Sequence, residues 1–246
     1  MKCPGQDSRY WKPGAIFEAK CPQCGNEVEF FKDDTTRKCK KCGHRFLNPG
    51  LDFGCASYCK YAEQCIGNLP PELIAQKEDL LKDRVAIEMK RFFKQDFKRI
   101  GHAGRVARYA EEIGKKEQGD LSVILCAAYL HDIGIKAAEE KYQSTAPEYQ
   151  EKEGPPIARE ILRKLSAKEA LIDEVCDIIA HHHRPEEEDS LNFKCLYDAD
   201  LIANLEEKHQ EEPVPPEALE QTINSAFLTR AGRELAQKRL LQDLES

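Results

Sequence analysis

The chain has 246 residues, a formal net charge of −7 and 33% charged residues. No uninterrupted apolar run approaches the ~20 residues that a membrane-spanning helix requires, so we expect a soluble, cytoplasmic protein with no membrane partner. The acidic balance also argues against a broad nucleic-acid-binding surface, which would need clustered Lys and Arg. At this length, a small N-terminal domain and a helical domain of about 160 residues can each form a core.

Cysteines dominate the N-terminal segment, residues 1–70, which holds eight of the eleven in the chain. Two Cys-x2-Cys pairs, each followed by glycine, flank a short strand-like run at residues 28–31: Cys21 with Cys24, and Cys39 with Cys42. Such pairs are typical of a zinc ribbon, in which four thiolates hold zinc tetrahedrally. We therefore predict a small zinc-ribbon-like β domain that needs its metal, because its own core is thin.

The other four cysteines of this segment could form a second metal site: Cys3, Cys55, Cys59 and Cys65. Thiolates bind zinc and iron–sulfur clusters alike, so the spacing leaves the identity of this second metal open. Disulfides are the alternative for both sets, but paired Cys-x2-Cys knuckles in a chain expected in the cytoplasm favour metal. The remaining cysteines lie in apolar helical patterns and are expected to be small buried residues: Cys126, Cys176 and Cys195.

The role of the Cys-rich domain depends on its charge and its aromatic residues. It carries 11 Lys and Arg against 8 Asp and Glu, with a basic cluster between Arg37 and Arg45. Phe30, Phe31 and Phe46 could stack on nucleic-acid bases. A small ribbon needs its aromatic residues as core, so we expect a stabilising or protein-docking module and consider nucleic-acid binding unlikely.

The rest of the chain, residues 71–246, has helical patterns. Turn residues at Gly67–Pro71 mark the boundary, and an amphipathic segment at Glu72–Lys94 is expected to link the two domains. A proline-rich stretch at Pro213–Pro216 separates this helical core from a last helix predicted over Glu217–Leu244. The fold class expected is therefore mainly α: an all-α bundle, with its core at about residues 85–240, preceded by the small β domain.

Histidine and aspartate occur on the apolar sides of four predicted helices. His102 shares a stripe with Val106, and His131 and Asp132 end the apolar run Leu121–Leu130. Three consecutive histidines, His181, His182 and His183, follow another apolar run, and Asp200 interrupts the apolar side of a later helix. An acidic residue in a core needs a partner. Neutral imidazole and carboxylate oxygens together suit a borderline or hard divalent cation.

At these residues the chain resembles the HD superfamily of metal-dependent phosphohydrolases, over roughly residues 85–240. The resemblance rests on the ordered His, His-Asp, Asp signature. It implies an HD-type helical bundle that holds Mn, Fe, Co, Ni, Zn or Mg near its centre through His102, His131, Asp132 and Asp200. Asp200 matches the family's last motif better than Asp198, because an Ala-Asp pair followed by apolar residues and an Asn stands there. Asp198 is then expected to support a ligand or to begin a helix.

Some HD proteins hold two metal ions and use extra histidines. His181 and His182 match the family's His-His pair, whereas Gly154 stands at an expected helix start where the family has another histidine. We therefore expect one tightly bound ion, with His181 or His182 facing the substrate phosphate or a weakly bound second ion. Adjacent side chains on a helix diverge by about 100°, so His183 is expected to be solvated near the helix end.

The resemblance implies hydrolysis of a phosphomonoester or phosphodiester, with a nucleotide as the expected substrate class, by a metal-activated water. Asp132 is expected to ligate the metal and to act as general base, with His181, His182 and Lys136 completing the catalytic set. Arg105 and Arg184 are expected to contact the substrate phosphate. No serine or cysteine stands in a nucleophile turn, which argues against acyl transfer.

Two alternatives remain open at this stage. The first is a non-catalytic nucleotide sensor or protein-docking scaffold that keeps the metal. The second is a nucleic-acid-binding protein that acts through its ribbon.

Overall fold

In the computed structural model, the described residues are 16–31, 34, 36–50 and 71–242. The chain divides into two compact units, Met1–Gln76 and Lys77–Ser246. The second four-cysteine site predicted from the sequence lies outside the described residues, because Cys3, Cys55, Cys59 and Cys65 all fall in the gaps.

The first unit contains two small antiparallel hairpins. Strand β1 (Ile16–Lys20) pairs with β2 (Glu27–Phe31), and β3 (Thr36–Lys38) pairs with β4 (Arg45–Leu47). Each Cys-x2-Cys pair is followed by a glycine in the left-handed region, with φ of +71° at Gly25 and +77° at Gly43. Glycine adopts this conformation without the steric cost of a Cβ atom, so the two knuckles can turn tightly.

Three aromatic residues in the described part of the ribbon pack together in its core. Phe30 is fully buried beside Val28, Cys21 and Cys39. The rings of Phe17 and Phe46 pack on Phe30, with centroids 6.0 Å and 5.3 Å from it. Phe30 and Phe46 are therefore used as core, as the sequence analysis expected, whereas the ring of Phe31 lies outside this cluster, 4.8 Å from the guanidinium of Arg37.

The second unit is helical. Its elements are α1 (Pro71–Phe93), α2 (Phe97–Glu117), α3 (Leu121–Leu130), α4 (Ile135–Tyr142), α5 (Pro147–Lys164), α6 (Glu169–His181), α7 (Leu191–Glu211), α8 (Pro216–Ala226), α9 (Arg230–Gln237) and a π-helical turn at Lys238–Gln242. The predicted fold class, a mainly α protein with a small N-terminal β unit, is confirmed. Side-chain caps fix several helix starts: Asp120 accepts from the backbone N–H groups at the start of α3, and Ser190 does so for α7.

Two predicted helix boundaries were wrong. The last helix expected over residues 217–244 is broken at Phe227–Thr229, where extended backbone separates α8 from α9. Helix α5 begins at Pro147 and runs through Gly154, where a helix start was expected. Pro147 stands in the first turn of α5, where its missing N–H leaves no helical hydrogen bond unmade.

Helix α3 is the centre of the unit. It packs against α2, α6 and α7, and most of its residues are buried because the helix is apolar on all sides. Among the described residues, the segment Leu121–Tyr142 has the length and hydropathy of a membrane-crossing helix, although 61% of the tested window is buried in the unit. A turn at His131–Gly134 divides this segment into α3 and α4. A buried core helix meets the same criterion by composition.

The turn after α3 packs closely on α5. Gly134 has an ordinary φ of −75°, so no unusual backbone conformation requires glycine there. A Cβ atom at Gly134 would collide with the carbonyl oxygen of Gln150 and lie 2.6 Å from the backbone nitrogen of Gly154. Glycine is therefore required by the close approach of two backbones, which places the residues after α3 directly against α5.

Candidate metal centre

Three helices bring four predicted ligands together. His102 comes from α2, His131 and Asp132 from the end of α3 and the turn that follows, and Asp200 from α7. His102, His131 and Asp200 are only 8%, 1% and 8% exposed. Their ligand atoms all lie within 4.8 Å of one another. The structure thus brings together the ligand set that the resemblance implied.

The distances within this cluster suit a shared cation. His102 Nε2 lies 3.0 Å from Asp200 Oδ1, and His131 Nε2 lies 3.4 Å from Asp132 Oδ2 and 3.5 Å from Asp200 Oδ1. With ligand bonds of about 2.1 Å, neighbouring donor atoms lie roughly 3.0 Å apart in an octahedron and roughly 3.4 Å apart in a tetrahedron. The observed spacings match both figures, so the residues fit a divalent ion.

Two buried histidine nitrogens supply a second sign of a ligand. His131 donates its Nδ1–H to the carbonyl of Ala128 at 2.9 Å, and His182 donates its Nδ1–H to that of Ile179 at 2.9 Å. Within the described part of the chain, Nε2 of each ring is buried without a hydrogen-bond partner. Buried polar atoms rarely lack a partner. A cation between the rings, whose centroids are 5.4 Å apart, would satisfy both.

The two carboxylate oxygens of Asp132 face two different groups of ligand atoms. Oδ2 is directed to His131, and Oδ1 lies 3.9 Å from Nε2 of His182. Asp132, His182 and His183 form a second set of ligand atoms within 4.8 Å of one another. The carboxylate is therefore placed to bridge the two groups.

Electrostatics separate the charged from the neutral members of the cluster. Burial disfavours the charge on Asp132, but the adjacent His131 outweighs it and holds the pKa of this carboxyl well below its usual range. Asp132 raises the pKa of His131 in turn, against the effect of burial. Burial and the nearby positive His131 lower the pKa of His182 to about 4. His182 is thus neutral at pH 7, which is the form of imidazole that binds metals.

The triple histidine differs from the sequence-based expectation. His181 turns away from the cluster: its Nε2 lies 2.8 Å from Asp189 Oδ1, and its ring stacks on Phe193. His183, expected to be solvated, instead joins the second ligand group beside His182. The expectation was wrong because α6 ends at His181, so the 100° divergence of helical side chains does not apply to His182 and His183.

Glu151 was missed by the sequence analysis. It is 3% exposed and accepts hydrogen bonds from the backbone N–H of His183 at 3.2 Å and from Arg184 Nε at 3.0 Å. Glu151 lies on α5 one turn before Gly154, so its position follows from the close packing of α5 on the turn after α3. These two hydrogen bonds hold the segment that carries His183 against α5.

The three predicted cations take different positions. Nζ of Lys136 donates to the carbonyl of Phe93 at 2.9 Å, at the end of α1, a placement that does not favour the catalytic role expected of it. Arg105 donates to Glu207 rather than facing the cluster. Arg184 is held by Glu151, but its side chain is 70% exposed and adjoins His183.

Helix α7 supplies hydrogen-bond partners for two of the ligands, of which only Asn204 belongs to the sequence motif. Asn204 donates to Asp200 Oδ2 at 3.0 Å, and Glu207 accepts from His102 Nδ1 at 2.8 Å. Asp200, Asn204 and Glu207 are spaced at i, i+4 and i+7, which is one stripe of a helix. That spacing was the signal by which Glu207 could have been found.

Asp198 does not support a ligand and does not begin a helix, contrary to the expectation. It accepts from the backbone N–H groups of Leu228 and Thr229, both at 2.8 Å, and from the Thr229 hydroxyl at 2.6 Å. Two residues along a helix rotate a side chain by about 200°, so Asp198 and Asp200 face nearly opposite sides of α7. Asp198 thereby fastens the junction between α8 and α9 to the helix that carries Asp200.

In the first unit, the four cysteines of the two knuckles converge. Cys21 Sγ lies 3.7 Å from Cys42 Sγ, and Cys24 Sγ lies 3.6 Å from Cys39 Sγ. Tetrahedral bonds of about 2.3 Å would set the sulfur atoms roughly 3.8 Å apart, so the group fits a metal such as zinc. The backbone N–H of Cys42 lowers the pKa of the Cys39 thiol to about 6, which favours the thiolate that binds metal.

The comparison with protein-family models agrees with this geometry. The family model described as HD domain matches residues 99–205, a range that includes all four predicted ligands of the helical unit. Among solved structures, the chain is similar to a predicted HD superfamily hydrolase from an uncultured Thermotogales bacterium, with 23% sequence identity, a TM-score of 0.48, and coverage of 68% of this chain and 87% of that one. No curated protein gave a significant match. Residues 99–205 of this chain are therefore similar to the HD domain.

Proposed function

We propose that the chain hydrolyses a phosphomonoester or phosphodiester, with a nucleotide as the substrate class, at the HD centre. The HD domain supports a metal-dependent hydrolase in general. The observation that carries the metal on which this proposal depends is the pair of unpartnered, buried Nε2 atoms of His131 and His182 beside an ionised Asp132. A charged carboxylate beside two buried imidazole nitrogens that lack hydrogen-bond partners is an arrangement that suits a bound cation.

Each residue has a defined task in this proposal. His102, His131, Asp132 and Asp200 would hold the divalent ion, which when bound activates water and polarises a phosphoryl oxygen. Asp132 stays ionised at neutral pH, because its pKa is held low, and it accepts a hydrogen bond that orients the attacking water. His182 and His183 extend the cluster toward the substrate.

The substrate enters on the side of Asp132 and His183. Their side chains are 20% and 29% exposed, whereas that of His131 is 1% exposed. Arg184 follows His183 directly, and Glu151 holds the near side of its guanidinium while the rest faces solvent. A guanidinium at this edge can donate to the phosphoryl oxygens on which charge develops during hydrolysis.

For the first unit, we propose a zinc ion bound by Cys21, Cys24, Cys39 and Cys42, and a protein-docking role. The ring of Phe30 is core, so in the described part of the ribbon this aromatic residue serves packing and is not offered to nucleic-acid bases. Thiols that need to stay reduced to bind metal suit the cytoplasm, which we propose as the location of the protein.

Phosphate release measured on a panel of nucleotides and simple phosphoesters tests the proposal, with Mn²⁺, Co²⁺, Ni²⁺ and Mg²⁺ in turn. Asp132→Ala should abolish turnover, and metal content is measured on each sample. A matched pair checks the geometry: His182→Ala should lower turnover strongly, whereas His181→Ala should retain most of it. Wild-type protein that holds its metal and releases no phosphate from any substrate would refute the hydrolase and favour the nucleotide sensor or scaffold.

A further inference from the structure

The three histidines whose Nε2 atoms face the centre are oriented in two different ways. His131 and His182 stand at the ends of helices, and each donates its Nδ1–H to the carbonyl three residues before it. His102 lies inside α2, where the backbone carbonyls are used by the helix itself. Its Nδ1 instead reaches across to α7 and meets Glu207 Oε1 at 2.8 Å.

Glu207 is itself held in place. Nη2 of Arg105, which follows His102 by one turn on α2, donates to the same carboxylate oxygen. The imidazole and the guanidinium are thus two donors on one oxygen. Glu207 and Arg105 are 24% and 36% exposed in their side chains, so this contact lies at the outer side of His102, away from Asp200.

We infer that Glu207 is a positioning residue for the metal, acting through His102, and that Arg105 holds Glu207 in its working position. An ionised carboxylate only accepts hydrogen bonds, so Glu207 keeps the proton on Nδ1 and leaves Nε2 to bind the cation. A hydrogen bond to the far nitrogen also fixes the ring's orientation and makes it a stronger ligand. Arg105 therefore serves the metal site, rather than the substrate contact that the sequence analysis expected of it.

Asn204 gives the same stripe of α7 a second positioning contact. It donates to Oδ2 of Asp200, which leaves Oδ1 directed at Nε2 of His102. One helix thereby sets the orientation of a ligand on its own surface and of a ligand on its neighbour. The inference rests on the metal site proposed above, but not on the reaction carried out there.

Manganese binding to the full-length protein tests the inference, with free Mn²⁺ measured by electron paramagnetic resonance. Manganese suits carboxylate and imidazole ligands, and thiolate sites do not select it, so the cysteines should not obscure the result. Glu207→Ala should raise the dissociation constant for Mn²⁺ by about 10- to 100-fold, the usual loss when such a supporting partner is removed. Glu207→Gln should rescue much of the affinity, because its amide oxygen still accepts from Nδ1–H.

The adjacent Glu206 offers a matched control. It accepts from the Tyr109 hydroxyl at 2.7 Å and from Arg239 instead of touching His102. Glu206→Gln should therefore leave manganese affinity unchanged, while circular dichroism checks the helical content of every variant. Affinity that is retained in Glu207→Ala but lost in His102→Ala would overturn the inference and leave the metal site intact. Equal losses in Glu206→Gln and Glu207→Ala would also overturn it, since they would point to general damage to α7. Wild-type protein that binds no manganese, or any other divalent ion, at His102 would refute the metal site and the inference together.

Discussion

Replacing Gly134 by alanine should damage the protein more than any change of similar size nearby. The added Cβ would meet two backbone groups of α5: the carbonyl oxygen of Gln150 and, at 2.6 Å, the nitrogen of Gly154. Neither group can rotate away as a side chain could, so α5 and the turn after α3 must separate. Overpacking in a core costs roughly 1–3 kcal/mol, and a collision between backbones belongs at the upper end. We therefore expect Gly134→Ala to lower the free energy of unfolding by about 3 kcal/mol.

Two other glycines calibrate this expectation. At Gly154 a Cβ would lie 2.7 Å from Cγ2 of Ile179, the end of a side chain that can shift in part, so Gly154→Ala should cost about 1–2 kcal/mol. At Gly104, inside α2, a Cβ would have no heavy atom within 4 Å beyond its chain neighbours and the backbone of its own helix. Gly104→Ala should stabilise the protein by up to about 1 kcal/mol, because alanine is the better helix former.

Urea unfolding followed by far-ultraviolet circular dichroism measures the three free energies of unfolding, and the midpoint shift is reliable when the slope is unchanged. The expected order of stability is Gly104→Ala above wild type, then Gly154→Ala, then Gly134→Ala. Gly134→Ala should also bind Mn²⁺ more weakly, because the displaced turn carries Asp132. A Gly134→Ala variant within about 0.5 kcal/mol of wild type would refute the claim that backbone approach requires this glycine.

Three further changes test other parts of the structure. Cys39→Ser should reduce the zinc content of the purified protein by one equivalent in elemental analysis, and an unchanged content would count against the ribbon site. Asp198→Ala should lower the free energy of unfolding by about 3 kcal/mol, because buried donors, including the Thr229 hydroxyl, would lose their acceptor. The affinity for manganese should stay the same. The ion pair with Lys164 lowers the pKa of Glu88, so its stabilisation is present above the unfolded-state pKa of about 4.3 and is lost as pH falls through the lower folded value. Glu88→Gln should therefore cost less than about 1 kcal/mol at pH 7 and nothing near pH 3 in urea titrations, and a cost that persists at pH 3 would contradict the ion pair.

The four ligands of the metal centre were predicted from the family resemblance, and helical periodicity supported two of them because it decides which side chains face a core. His102 shares a stripe with apolar residues, and Asp200 interrupts one, so both had to point inward. The choice of Asp200 over Asp198 came instead from the resemblance to the family's last motif, and in the structure two residues of helix turn Asp198 to the other side of α7. The ribbon was predictable for a different reason, since Cys-x2-Cys pairs followed by glycine leave few structural alternatives.

Residues outside regular helices could not be placed in this way. The position of His183 depends on where α6 ends, and helix ends are poorly determined by periodicity. Glu151 is buried because α5 approaches the turn after α3, a tertiary contact that neither segment reveals alone. Lys136 was expected near the substrate because it follows Asp132 closely in sequence, but α4 directs its ammonium to the end of α1.

The hydrogen bonds between Asp198 and Thr229 decide where the helical domain can be truncated. The family match ends at residue 205, yet Asp198 within it relies on donors at 228 and 229, and His102 relies on Glu207. Helices α8 and α9 also bury Leu219, Ile223 and Leu235. A fragment that ends at residue 205 would keep every predicted metal ligand. It would lose Glu207, which orients His102, and helices α8 and α9, of which α9 packs on α7. The smallest piece that could be transferred to another protein with its metal site intact is therefore longer than residues 99–205, and grafts of this domain should extend past α9.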